Sequence, residues 1–183
     1  FGGELRVAWT GPVIRLDPVT KNLSTAASDY HAAAVGSHIF ESLFRWDERK
    51  SPEPVLVESW FLSSNGLTYT FSLRQELRFH DSSPVTSEDV RLSLDRWRVA
   101  GSTQSDIVRK FTPTDWLQTP DEATVIITLQ QPLPSLIDLL GQPNLAPYIM
   151  PREYAFRQAR ETVRDVIGTG PYAHVGWRSG DRV

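Results

Sequence analysis

The stretch from Pro54 to Val90, PVLVESWFLSSNGLTYTFSLRQELRFHDSSPVTSEDV, constrains the fold more than any other part of the chain. It couples a hairpin, a tight turn and a capped helix in one fixed order. Ser64-Asn65-Gly66 supplies residues that tolerate positive φ. Leu67, Tyr69, Phe71 and Leu73 then alternate with Thr68, Thr70 and Ser72, the period of a half-buried strand. Leu77 and Phe79 continue the alternation and predict a second strand, after which His80-Asp81-Ser82-Ser83-Pro84 turns the chain. Thr86 with Asp89 three residues on has the pattern of a capping box and predicts a helix with Val90, Leu94 and Trp97 on its apolar face.

The flanking sequence supplies the rest of an α/β unit. Leu5, Val7 and Trp9 alternate with Glu4, Arg6 and Ala8 as a short strand ended by Thr10-Gly11-Pro12. Ser28 can cap a helix with Tyr30, Ala33, Ser37, Phe40 and Phe44 on one stripe, broadened by Val35, Ile39 and Leu43 toward burial. Beyond Trp97 the pattern predicts a polar loop over 101–106, a strand near 111–117 and a turn at Pro120-Asp121-Glu122. A β-branched strand over 124–129, a short helix over 135–140, an irregular segment over 143–151 and a last helix over 152–166 follow.

Composition removes several function classes. The formal net charge is −3 and the only lysines are Lys21, Lys50 and Lys110, so no basic block marks a nucleic-acid or anionic-membrane surface. No window approaches the roughly eighteen apolar residues of a membrane span, and Phe1-Gly2-Gly3 does not read as a signal peptide. The absence of cysteine excludes disulfides, thiolate catalysis and Cys-ligated zinc. A chain of 183 residues is long enough to bury roughly 70% of the surface exposed when unfolded.

Candidate chemistry is sparse. Gly168-Thr169-Gly170-Pro171 has glycines that would let amides approach a phosphate, but lacks the Gly-Lys-Ser/Thr ending, so a structural turn with unusual φ at the glycines is expected. His31 and His38 stand two helical turns apart, without the i, i+4 spacing that converges two imidazoles on one metal, and His80 and His174 read as structural. There is no Gly-x-Ser-x-Gly elbow and no recognisable carboxylate pair, so no catalytic residues are assigned and no enzyme is expected. No cofactor and no metal site is expected either. Of six tryptophans, Trp46, Trp60, Trp97, Trp116 and Trp177 are expected in the core, whereas Trp9 closes a strand beside a Gly-Pro turn.

The order of these phrases resembles the extracytoplasmic solute-binding proteins of peptide and nickel ABC importers, family 5. The resemblance rests on Leu5 to Trp9 followed by Leu16-Asp17-Pro18, then Ile39-Phe40-Glu41-Ser42-Leu43. It continues through Pro-x-Leu-x-x-Ser-Trp at Pro54 to Trp60, Tyr-x-Phe-x-Leu-Arg at Tyr69 to Arg74, and Phe-His-Asp before Thr-x-x-Asp-Val. It ends on Gly-Thr-Gly-Pro-Tyr at Gly168 to Tyr172 with the later Trp177, and so spans essentially the whole chain. One departure is Ser82, where members usually carry glycine.

The resemblance implies a type II periplasmic-binding-protein-like lobe, a mixed sheet with flanking helices, truncated before the second lobe. Residues 1–45 and 166–183 would form the core of the first lobe and 46–165 an inserted subdomain. The implied function is capture of dipeptide- or oligopeptide-like solutes outside the bacterial cytoplasm and delivery to membrane permease subunits, by a monomer that binds no nucleic acid. A small-molecule sensor fused to a transcriptional regulator and a carrier of nickel or another metal chelate are the alternatives. In this architecture ligand crevices lie beyond strand ends. The implied ligand contacts are therefore Trp9, Thr10, Gly11, Pro12 and Val13, with Asn22, Ser24 and Thr25.

Overall fold

The structure, a computed structural model, describes residues 34–99, 102–143, 146–155 and 166–175. Helical residues 34–39 (α1) lead into β1 (Phe44–Trp46), β2 (Pro52–Pro54), β3 (Val57–Leu62) and β4 (Thr68–Leu73). Next come α2 (Ser87–Arg98), α3 (Thr103–Phe111), β5 (Leu117–Asp121), β6 (Thr124–Thr128), α4 (Leu136–Gly141) and α5 (Arg152–Ala155). β1 and β2 form a small antiparallel pair, and a four-stranded antiparallel sheet has the order β3-β4-β6-β5.

The β3–β4 hairpin forms where the turn chemistry places it. Gly66 takes φ 71°, and the Asn65 side-chain oxygen accepts hydrogen bonds from the Leu67 amide at 3.1 Å and the Ser63 hydroxyl at 2.7 Å. Alternation along β4 then buries Tyr69, Phe71 and Leu73. Phe71 stands opposite Trp60 on one side and Val125 on the other, and Tyr69 opposite Leu62 and Ile127. Val125 and Ile127 of β6 extend the same buried face, against which α2 lays Val90, Leu94 and Trp97. The α2 start matches the expected box: the Asp89 carboxylate accepts from the Thr86 amide at 2.8 Å and hydroxyl at 2.7 Å.

Three expectations need correction. The partner of β4 in the hairpin is the segment before the turn, and Leu77 to Phe79 is no strand. Glu76 at φ 60° breaks the extended run, and 77–85 closes on itself through a single bridge between Arg78 and Pro84. The region expected as a polar loop followed by a strand near 111–117 is helix α3, and the strand begins only at Leu117. Ser102 and Ser105 cap α3 reciprocally, Ser105 N to Ser102 Oγ at 3.0 Å and Ser102 N to Ser105 Oγ at 2.9 Å, while Val108 is fully buried.

The third correction concerns tryptophan. Trp97 and Trp116 are core residues, the latter donating its indole N–H to Asp95 at 2.8 Å, and half-buried Trp46 donates to the Asp138 carbonyl. Trp60 instead remains 44% exposed. Its ring packs edge-on to Phe44 at 5.4 Å, but among the described residues β3 is the sheet edge and no further strand continues the layer over it. Trp177 lies outside the described residues.

Candidate functional site

All eight implied ligand contacts, Trp9, Thr10, Gly11, Pro12, Val13, Asn22, Ser24 and Thr25, lie outside the described residues, as does His31. What the structure describes is the joint that follows them in sequence: the end of α1, the segment 166–175 and the turn at His80.

Two stretches of backbone meet there without side chains between them. The Gly170 amide donates to the Ile39 carbonyl at 2.8 Å, and the Tyr172 amide to the His38 carbonyl at 3.1 Å. A Cβ on Gly168 would stand 2.1 Å from the Ile39 oxygen, and one on Gly170 2.7 Å from the His38 oxygen. These glycines therefore serve close approach. The expected unusual φ is not what they provide, since Gly66 is the glycine with positive φ among the described residues. Because the Gly170 amide is committed to Ile39 and the Gly168 amide to the His80 ring, the phrase does not offer both as a phosphate cradle.

His80 ties the joint from the third side. Its amide donates to the Gly168 carbonyl at 2.9 Å, its Nε2 lies 2.8 Å from the Gly170 carbonyl, and its Nδ1 lies 3.3 Å from the Gly168 amide. The structural role read for this histidine from sequence holds. The sequence carried no sign that its partners stand some ninety residues downstream. The turn that presents it contains Ser82 at φ 71°, a backbone conformation that glycine adopts more readily than serine. Asp81 stabilises that turn by accepting from the Ser83 hydroxyl at 2.6 Å and amide at 2.9 Å, which holds its carboxyl below the usual range.

Around the joint, Phe40 packs on Tyr148 with ring centroids 6.2 Å apart, and burial pushes the Tyr148 phenol up to about 12. His38, exposed on the opposite side, has its Nδ1 2.8 Å from the Ala34 carbonyl and its ring 6.1 Å from that of Tyr172. Among the described residues no three metal-ligating side chains gather. The displaced carboxyls of Asp81, Glu88 and Asp121 are all displaced downward: by Ser83, by Arg91, and by the Ala123 amide with Thr124. They act as structural acceptors, the opposite of the raised carboxyl a general acid requires. Buried Asp89 likewise spends its second oxygen on the Arg152 amide at 2.8 Å.

Comparison with known proteins fits a binding scaffold. Residues 51–183 match the family model described as bacterial extracellular solute-binding proteins, family 5 Middle. A probable peptide ABC transporter periplasmic-binding protein of Sinorhizobium fredii is 33% identical over 156 residues, covering 85% of this chain and 27% of the relative. A glutathione-binding protein of Pectobacterium atrosepticum is 32% identical over 159 residues, covering 86% and 30%. Among solved structures, the Agrobacterium tumefaciens R10 binding protein AgaA, in complex with agropinic acid, superposes with a TM-score of 0.74 at 29% identity, over 92% of this chain and 32% of that one. The chain thus spans less than a third of the length of these relatives. With the family matched over most of its length and the lobe fold shared, the chain belongs to the bacterial extracellular solute-binding proteins of family 5.

Proposed function

We propose that this chain is part of the first lobe of a substrate-binding component of a bacterial ABC importer, which captures a peptide-like solute outside the cytoplasm and delivers it, as a monomer, to the membrane permease. The observation that carries this reading is the family match over residues 51–183. The solute class follows from relatives described as peptide-binding and glutathione-binding, glutathione being itself a small peptide. In this reading 1–45 and 166–183 build the lobe core and 46–165 is inserted between them. The hydrogen bonds from Gly170 and Tyr172 back to Ile39 and His38 support that division, because they bring together the two ends of the stretch 46–165.

Solute contacts are assigned to Trp9, Thr10, Gly11, Pro12 and Val13, with Asn22, Ser24 and Thr25. Main-chain groups of the first loop would pair with an extended peptide, and the Trp9 ring would supply an apolar wall. A two-lobed clamp gains affinity by desolvating its ligand from both sides, so one lobe alone leaves it wet.

The test is mass spectrometry of the solute co-purified with the full-length protein, followed by calorimetry of Trp9→Ala with that solute. Expected is a short peptide or peptide-like molecule, bound at least about tenfold more weakly by the variant, a loss of ~1.4 kcal/mol, with the melting temperature little changed. A co-purified molecule without peptide character would overturn the solute class. Wild-type affinity in the variant would remove the first loop from the site.

A further inference from the structure

The His80 ring lies between two backbone groups whose hydrogen-bonding roles cannot change. The Gly168 amide nitrogen, 3.3 Å from Nδ1, can only donate, and the Gly170 carbonyl, 2.8 Å from Nε2, can only accept. The ring satisfies both only as a neutral imidazole with its proton on Nε2. The clasp also joins sequence-distant parts, the turn at 80–83 and the bent segment 168–172 that is bonded to His38 and Ile39.

We infer that His80 is a protonation-sensitive clasp, in which the neutral imidazole holds the Gly168 amide and the imidazolium releases it while keeping the Gly170 carbonyl. A proton on Nδ1 would set two donors against each other at Gly168, whereas the charged Nε2–H bond to Gly170 would strengthen. The release is therefore one-sided. The 168–172 segment stays anchored through Gly170 N to Ile39 O and Tyr172 N to His38 O, and Gly168 itself through the His80 amide to its carbonyl, so only the Gly168 amide is freed.

The charged and titratable neighbours fit a local effect. Asp81 follows His80 in the chain, is committed to Ser83 and interacts with the His80 charge, Arg78 reaches the Ser82 carbonyl from the same turn, and the facing segments carry the titratable residues His38 and Tyr172. None of these side chains shows a bond to the His80 ring that would stand in for the Gly168 amide. The inference concerns the scaffold alone and stands whatever solute the protein binds.

The experiment is amide hydrogen exchange by NMR on glycine-labelled full-length protein, with rates normalised to the intrinsic rate at each pH and the His80 ring titrated in the same samples. Exchange at Gly168 should accelerate about five- to tenfold as His80 protonates, the factor for losing one modest hydrogen bond, while Gly170 stays protected. His80→Leu, which keeps bulk without polarity, should show the fast Gly168 exchange at neutral pH. Gly168 protection that stays flat through the His80 titration overturns the inference, and so does a neutral ring carrying its proton on Nδ1. The wild-type titration decides the matter even if His80→Leu fails to fold.

Discussion

Strands β3 and β4 are neighbours of equal length and similar apolar content, and they are buried to opposite degrees. In β4, Tyr69, Phe71 and Leu73 are 3%, 0% and 3% exposed; in β3, Trp60, Phe61 and Leu62 are 44%, 66% and 41% exposed. The two differ in pattern and in company. β4 alternates apolar with Thr and Ser and is flanked by β3 and β6, so one face is wholly sealed. β3 carries its apolar residues consecutively and ends the sheet, so Phe61 points away from the core while Trp60 and Leu62 overhang its rim. Burial in this sheet follows period and position, and hydrophobicity alone decides neither.

The largest effect expected from that difference is at Phe71. Its ring meets Phe44 edge-on at 5.7 Å and stacks on Tyr69 at 6.0 Å, with Trp60 and Val125 opposite it in the two ladders. Phe71→Ala leaves a cavity that these neighbours cannot all close, and should cost about 3–5 kcal/mol in a urea titration. A loss below ~1 kcal/mol would erase the contrast between the centre and the edge of the sheet.

Trp60→Ala probes the rim of the same face and should cost about 1–2 kcal/mol, because the indole, opposite Phe71 and edge-on to Phe44, is 44% exposed. The measurement is the same titration on the same background. A loss equal to that of Phe71→Ala would mean that the edge of β3 is covered in solution, and would restore the core role that the sequence pattern suggests for this tryptophan.

What was legible in the sequence is what local chemistry determines. The turn at Asn65-Gly66, the alternation of β4 and β6, the Thr86/Asp89 box and the short helix after Pro134 each depend on residues within one or two turns of each other. Helix α3 was hidden because Gly101-Ser102-Thr103 has loop composition, and only the burial of Ser105 and Val108 against the rest of the core makes the serine pair a cap. The role of Gly168 and Gly170 was hidden for a different reason. A glycine in a sequence does not say whether it serves positive φ or close approach, and here the answer lies in the carbonyls of Ile39 and His38. The exposure of Trp60 depends on strand order, which no stretch of sequence near it encodes. The candidate ligand contacts from Trp9 to Thr25 rest on pattern resemblance and lie outside the described residues.

The smallest effect is expected at Phe61, and it is the most sensitive probe of the outer face. Phe61 stands opposite Thr70, on the side of the sheet away from Phe71, and is the most exposed of the three apolar β3 residues. Phe61→Thr introduces a β-branched side chain suited to a strand and places it beside another threonine, so the lost cross-strand contact is offset by better fit to a solvated surface. Stability should change by less than about 0.5 kcal/mol, the range of surface substitutions away from special features. The variant should also self-associate less at high concentration, since an apolar edge strand is a template for pairing with another chain. Light scattering and the urea titration together read both quantities. A stability loss above ~1.5 kcal/mol would show that the outer face of β3 is packed against something, and the distinction between its two faces would fall with it.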